Sequence, residues 1–328
     1  MHLAHPIALP KARALFARTD DGAGGRLQTL KRQLKFKLRY WRHHLHMQDI
    51  ASTLHLHGLD ALLESDPQLL MRPLRSYLWN RLAAPDRARA TMVHLHWLVS
   101  HHRRDTLLAL YRVGHSTAAR FMVEGREVRF DLEPGRRLGR EGELEVHLRL
   151  DGQTVLRCAF SVLPGYLLGE PDSGRLMVIG NMQGGDYQGP ELVRELTQLM
   201  HRTRPRTLLL TALQGLAQGW DLNGLRGVCG SAHSYAAYRG LSKRVMVDYD
   251  ELWQDLGATQ KVGHHWRLDR DLHLRPAEEV PSKKRAEHRR RNALRAEIAE
   301  HCAYSARNGF DCIPTPELLS SAAAVPSV

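Results

Sequence analysis

Residues 174–204 read GRLMVIGNMQGGDYQGPELVRELTQLMHRTR, and this stretch decides the fold. Leu176, Met177, Val178 and Ile179 form a short apolar run suited to a buried strand. Gly180, Gly184, Gly185 and Gly189 surround a polar tract that reads as a loop. Pro190 suits a first helical position and Glu191 the positive first turn. Leu192, Val193, Leu196, Leu199 and Met200 then share one helical face. A helix start behind a glycine loop presents free N–H groups, which suit a phosphate or another anion. An ordinary strand-to-helix turn that needs glycine for its geometry has the same composition.

Working outward, the hydrophobic period upstream changes from 3.6 to 2 near Phe121. Val128, Phe130 and Leu132 alternate with Glu127, Arg129 and Asp131, and Leu144 to Leu150 alternates in the same way. Asp151-Gly152 follows at once and predicts a tight hairpin into a strand from Gln153 to Leu163. One face of this sheet is apolar and the other polar, as in an antiparallel sheet covered on one side. Downstream, Pro205 opens a second helix and Leu225 to Cys229 reads as a strand. Ser231–Tyr238 reads as a short helix, Val245 and Val247 as a strand, Tyr249–Leu256 as a helix and His264–Leu268 as a strand. The fold class is α+β: a helical N-terminal region followed by a mainly antiparallel sheet with helices.

The first third is helical. Leu27, Leu30, Leu34, Leu38, Trp41 and Leu45 recur at three- and four-residue steps. Arg26, Lys31, Arg32, Lys35, Lys37, Arg39 and Arg42 interleave with them, and no acid stands between Gly22 and Gln48. Such a helix suits an anionic membrane surface; the alternative is a helix packed on the domain with a solvated basic face. A second basic helix follows the linker Pro276–Pro281, with Lys283, Lys284, Arg285, Arg289, Arg290, Arg291 and Arg295. The organisation expected is a flexible N-terminus (1–25), a helical region (26–115), an α+β domain (116–275), a basic C-terminal helix (276–312) and a disordered tail (313–328).

The 328 residues carry a formal charge of +12, which points to an anionic membrane surface or an acidic partner, with nucleic acid the lesser candidate. Frequent arginine also fits a high-GC genome. No apolar run reaches the length of a membrane-spanning helix, and the N-terminus lacks the pattern of a secretory signal. The four cysteines show no CxxC pairing and read as reduced thiols of a cytoplasmic protein. His43 and His46 stand one turn apart, but no acid or cysteine completes a ligand set, so no metal is assigned.

Several stretches together resemble the VirK/YbjX family, a bacterial group built on a domain of unknown function. They are Asp66-Pro67 with Arg72-Pro73-Leu74-Arg75-Ser76-Tyr77-Leu78, Ile179-Gly180-Asn181-Met182-Gln183-Gly184, and Thr211-Ala212-Leu213-Gln214-Gly215-Leu216-Ala217 before Leu225-Arg226-Gly227-Val228. Tyr249-Asp250-Glu251-Leu252-Trp253 and Lys284-Arg285 with Arg289-Arg290-Arg291 complete the set. The resemblance covers roughly residues 30–300; Cys229-Gly230 and the histidine-rich first third depart from it. It implies a link to virulence, envelope remodelling and antimicrobial-peptide resistance and no biochemical activity; with no secretory signal, any envelope role is expected from the cytoplasmic side, peripheral at the inner membrane. The order of elements also resembles acetyl-CoA-dependent N-acyltransferases, which bind the cofactor pyrophosphate at the loop-helix junction. That resemblance implies acyl-CoA as cofactor, held at Gln183, Gly184, Gly185, Gln188 and Gly189, with Tyr238 as general acid and His233 as base. Ser231 replaces the Asn of that pattern, and the loop lacks its basic residue.

Overall fold

The computed structural model describes residues 8–19, 25–185, 190–236 and 247–310. Five helices lead the chain: α1 (Ala12–Thr19), α2 (Arg26–Leu56), α3 (Ala61–Ser65), α4 (Ala84–His101) and α5 (Arg104–Val113). Residues 12–19, expected in a flexible N-terminus, thus form a helix. The reason is a small apolar contact: Leu15 is fully buried, and Phe16 meets Phe36 of α2 edge-on at 5.4 Å. The C-terminal part of α2 buries Met47, Ile50, Ala51 and Leu54. Between α3 and α4 a 3-10 segment, Pro67–Leu74, buries Arg72 completely. Its guanidinium donates Nε to Glu143 Oε1 at 3.0 Å and Nη2 to Oε2 at 2.9 Å, and the Thr91 hydroxyl donates to Oε1 at 3.0 Å.

The sheet contains β1 (Ser116–Val123), β2 (Arg126–Pro134), β3 (Leu144–Leu150), β4 (Gln153–Pro164), β5 (Arg175–Gly184), β6 (Gly224–Val228), β7 (Gln260–Val262) and β8 (His265–Leu268). Its spatial order is β1-β2-β3-β4-β5-β6-β8-β7. The expected hairpin joins β3 to β4: Leu150 pairs with Gln153, and Asp151 and Gly152 take φ of 45° and 79°. Positive φ at both turn residues matches the right-handed twist of the strands. The one parallel pair among the described strands is β5 with β6. A parallel pair needs a long crossover, and residues 185–223 supply it with α6 (Pro190–Leu199) and α7 (Pro205–Gly219). α8 (Tyr249–Asp255) and α9 (Arg285–Asn308) complete the chain.

The basic C-terminal helix is part of the body of the fold. α9 buries Leu294, Ile298, Ala299, Cys302, Ala303 and Ala306 against α7. The approach is close: a Cβ on Gly215 would lie 2.3 Å from the Ala299 carbonyl oxygen, and one on Gly219 2.4 Å from that of Ala303.

The polar face of the sheet differs from the sequence expectation. Asp131, Glu145 and His147 are buried along with the apolar face. Ion pairs make this tolerable, with Arg149 Nε of β3 2.9 Å and Arg129 Nη2 of the same strand 3.1 Å from Asp131 Oδ2. The segment after β2 folds back over that face, and the backbone N–H groups of Arg137 and Leu138 donate to Glu145 Oε1 at 3.1 and 2.8 Å. Buried charges persist only when paired and hydrogen-bonded in this way.

Candidate functional site

The sheet opens at the C-terminal ends of its parallel strands. β5 and β6 pair from Leu176–Gly224 to Ile179–Gly227 and then part, while β5 runs on to Gly184 beside β4. Gly180 marks the parting point. Ile179 pairs with Phe160 and Asn181 with Ala159, so Gly180 is the extra residue of a bulge. A Cβ at Gly180 would lie 2.0 Å from the Glu141 carbonyl oxygen, and one at Gly142 2.4 Å from the Phe160 nitrogen. Glycine at both places lets the segment between β2 and β3 press onto the sheet.

That contact brings Glu141 against Asn181 and His233. Asn181 Nδ2 donates to Glu141 Oε1 at 3.0 Å, and His233 Nε2 stands 3.4 Å from the same oxygen. His233 follows the short turn Gly230–Ala232 after β6 and forms a β-bridge with Trp79. Its ring stacks on Tyr249 at 4.8 Å, and its Nδ1 accepts the Tyr235 N–H at 3.4 Å, which leaves the proton on Nε2. The Tyr249 hydroxyl accepts the Met182 N–H, so this stack stands beside the unpaired length of β5. Asp250 fixes the turn below by accepting from Gly230 N at 3.1 Å, Lys261 Nζ at 2.8 Å and Trp266 Nε1 at 2.6 Å.

Burial sets the electrostatics. It pushes the Glu141 carboxyl up to about 8, against the Asn181 hydrogen bond, with Glu145 adding to the rise and Arg140 and Arg157 opposing it. Burial also lowers His233 to about 4. Near neutral pH the carboxyl therefore holds its proton and the imidazole is uncharged. Glu141 Oε2 and Asn181 Oδ1 are buried without a hydrogen-bond partner. Buried polar atoms of native proteins normally have partners, and the proton held on Glu141 gives this pair a donor as well as acceptors.

Of the residues read from the sequence, His233 lies in this site, and Gln183 stands at its outer edge with Oε1 3.5 Å from Asn181 Nδ2. Tyr238, Gln188, Gly189 and Val245 lie outside the described residues, and the described part of the helix expected over Ser231–Tyr238 is instead a 3-10 turn, Gly230–Ala232, followed by a bridge at His233. Gly184 belongs to β5 rather than to a loop, and neither it nor Gly185 has positive φ. A Cβ on Gly184 would meet nothing within 4 Å, whereas one on Gly185 would lie 1.7 Å from the Thr154 carbonyl oxygen. Gly185 is therefore explained by packing on β4. Glu141 and Tyr249 were not among the sequence candidates. The signal for Glu141 is its setting, Gly139-Arg140-Glu141-Gly142-Glu143, an acid between glycines in a short inter-strand segment. Among the described residues no group of three His, Cys, Asp or Glu side chains is placed to hold a metal ion.

Comparison with known proteins agrees with the family resemblance. Residues 25–303 match the model of the family DUF535, described as a protein of unknown function. The uncharacterized protein YbjX of Escherichia coli K12 is 26% identical over 242 residues, 72% of each chain. An uncharacterized protein of Haemophilus influenzae Rd is 30% identical over 136 residues, 41% of this chain and 45% of its own. No solved structure matches. With the family model covering most of its length, the chain belongs to DUF535, the VirK/YbjX family.

Proposed function

We propose that this protein docks peripherally on an anionic membrane surface through the outward face of α2. One observation carries the reading: Leu27, Leu30, Leu34, Leu38, Trp41 and Leu45 are 63–80% exposed along one face of a helix whose opposite side packs on the body. Exposed apolar patches of this extent mark interaction sites. The stripe covers 18 residues in five steps, 3.6 residues per step, the repeat of a straight helix. A coiled-coil seam repeats every 3.5 residues and uses acids beside its bases, and α2 has no acid before Asp49. Exposed Lys31, Lys35, Lys37 and Arg42 flank the stripe, where each contributes on the order of 1 kcal/mol toward anionic lipid. No described helix is long and apolar enough to cross a membrane. The envelope role that the family resemblance implies is in keeping with such docking.

Co-sedimentation with phosphatidylcholine vesicles, with and without phosphatidylglycerol, tests this at two salt concentrations. Wild-type protein is expected on anionic vesicles only, less so at high salt. Leu34→Asp with Leu38→Asp should cut the bound fraction at least tenfold without lowering the melting temperature. Equal binding to neutral vesicles would overturn the reading, and so would a concentration-dependent dimer that the double variant abolishes.

A second reading, an acyl-CoA-dependent enzyme like the N-acyltransferases, is favoured by the parting of β5 from β6. Ligands of α/β sheets bind outside the carboxyl ends of parallel strands, and an unpaired strand edge offers hydrogen bonds to an extended, amide-bearing ligand. Calorimetric titration with acetyl-CoA tests it; absence of binding at millimolar ligand ends that reading.

A further inference from the structure

We propose that the slot between α4 and the end of β4 binds an aliphatic carboxylate, its chain inside and its carboxylate on Arg175. The slot has a volume of about 250 Å³. That is less than the pockets of drug-sized ligands and suits one thin chain. Its walls are Val93 and Trp97 of α4 and Val162, Leu163 and Pro164 of β4. Residues 93 and 97 lie one helical turn apart and share a face. The residue after Val93 pins α4 to the strand: His94, fully buried, accepts the Val162 N–H on Nδ1 at 3.0 Å.

The mouth of the slot is polar. After Pro164 the chain turns sharply at Gly165, where a Cβ would strike the Glu170 carbonyl oxygen, and the turn sets Tyr166 exposed at the mouth. Arg175 pairs with Pro164 across the sheet and stands at the same mouth, also exposed. His96 completes the rim, its Nδ1 in a 2.7 Å hydrogen bond with His57 Nε2.

These polar groups define the occupant's head. The Arg175 guanidinium, the Tyr166 hydroxyl, the His96 ring and the Trp97 indole can all donate, and no acid lines the slot. Trp97 Nε1–H is buried without an acceptor. The Arg175 side chain has no hydrogen-bond or ion-pair partner among the described residues. The complement is a group that accepts, carries negative charge and trails an apolar chain. A fatty carboxylate is the simplest such molecule, and arginine takes a carboxylate through two parallel hydrogen bonds. An alkyl alcohol lacks the charge, and an alkyl amine has the wrong sign. The slot lies at the amino end of β5, about 20 Å along the strand from Asn181 at about 3.3 Å per residue. It shares no residue with the open end of the sheet or with the leucine stripe.

Nuclear magnetic resonance on isotope-labelled protein tests the site. Octanoate and decanoate are titrated below their micelle concentrations, with decyltrimethylammonium as cationic counterpart and acetate as bare head. The Trp97 indole N–H signal, identified by its loss in Trp97→Phe, should shift saturably with both fatty carboxylates and not with the cation. Two further methylenes should tighten decanoate over octanoate on the order of tenfold, and acetate should not saturate. Arg175→Gln should weaken decanoate on the order of tenfold without moving the melting temperature. Val93→Phe should fill the slot and abolish the shift. Should that variant fail to fold, Arg175→Glu reverses the charge at an exposed position and should abolish decanoate binding. No saturable shift in wild type overturns the site. So does an equal response to the cationic amphiphile, equal affinity for octanoate and acetate, or wild-type affinity in Arg175→Gln.

Discussion

Glu141 and Glu143 stand two residues apart, both buried, and are driven in opposite directions by what each meets. Burial would raise Glu143, but the Arg72 guanidinium and its two hydrogen bonds hold it down at about 2. Removing one member of such a pair leaves a buried charge alone, so Arg72→Met should cost about 3–5 kcal/mol in urea unfolding. At Glu141 burial outweighs the pull of Arg140 and Arg157, and the group sits at about 8, above its unfolded value. From about pH 5 to about 8 the folded protein therefore keeps a proton that the unfolded chain has released. The stability this gives is present below the unfolded value and is lost as pH rises through about 8. Glu141→Gln cannot titrate, so its melting temperature should gain on wild type between pH 5 and pH 9; parallel curves would refute the assignment. The buried histidines work from the other side. Burial lowers His94, His233 and His265 to about 4, so the unfolded chain binds protons first as the solution is acidified. Stability should fall as pH drops from 6.5 toward 4, and replacing His94 by Gln should reduce that slope.

Elements whose cause is local were legible in the sequence. The Asp151-Gly152 hairpin, the helix at Pro205 and the helix at Tyr249 rest on turn chemistry, a first-turn proline and periodicity, and each is found. α1 and β7 were not legible, because each is short and held by contacts from elsewhere in the chain. The candidate site was legible in part. His233 was named through the acyltransferase resemblance, but Glu141 meets Asn181 across 40 residues of sequence. Only the bulge at Gly180 and the glycines beside Glu141 make that meeting possible. Glycine by itself does not say whether it serves a ligand or a neighbour, and β5 shows both outcomes. Gly185→Ala should lower stability by about 1–3 kcal/mol through its clash with Thr154, while Gly184→Ala should be nearly silent in the same melting experiment. The same logic applies where α9 lies on α7: Gly215→Val should destabilise strongly by forcing apart two backbones.

At the scale of the molecule, the sequence showed the basic charge but left the placement of α2 open between a packed helix and an outward one. Both hold, on opposite sides of one cylinder. Phe36, Tyr40, Met47 and Ile50 face the body, and the leucine stripe faces away. The stripe is straight and about 27 Å long at 1.5 Å per residue. A straight line of contact with a plane removes tilt but not roll about the line. A body held to a plane along one line turns about that line like a door on its pin. Docked as proposed, the protein would keep α2 flat and swing about it, and polarised infrared spectra of oriented layers should find α2 flat while the sheet axis remains broadly distributed. Whatever second contact stops the swing also sets how high the open end of the sheet stands above the lipid.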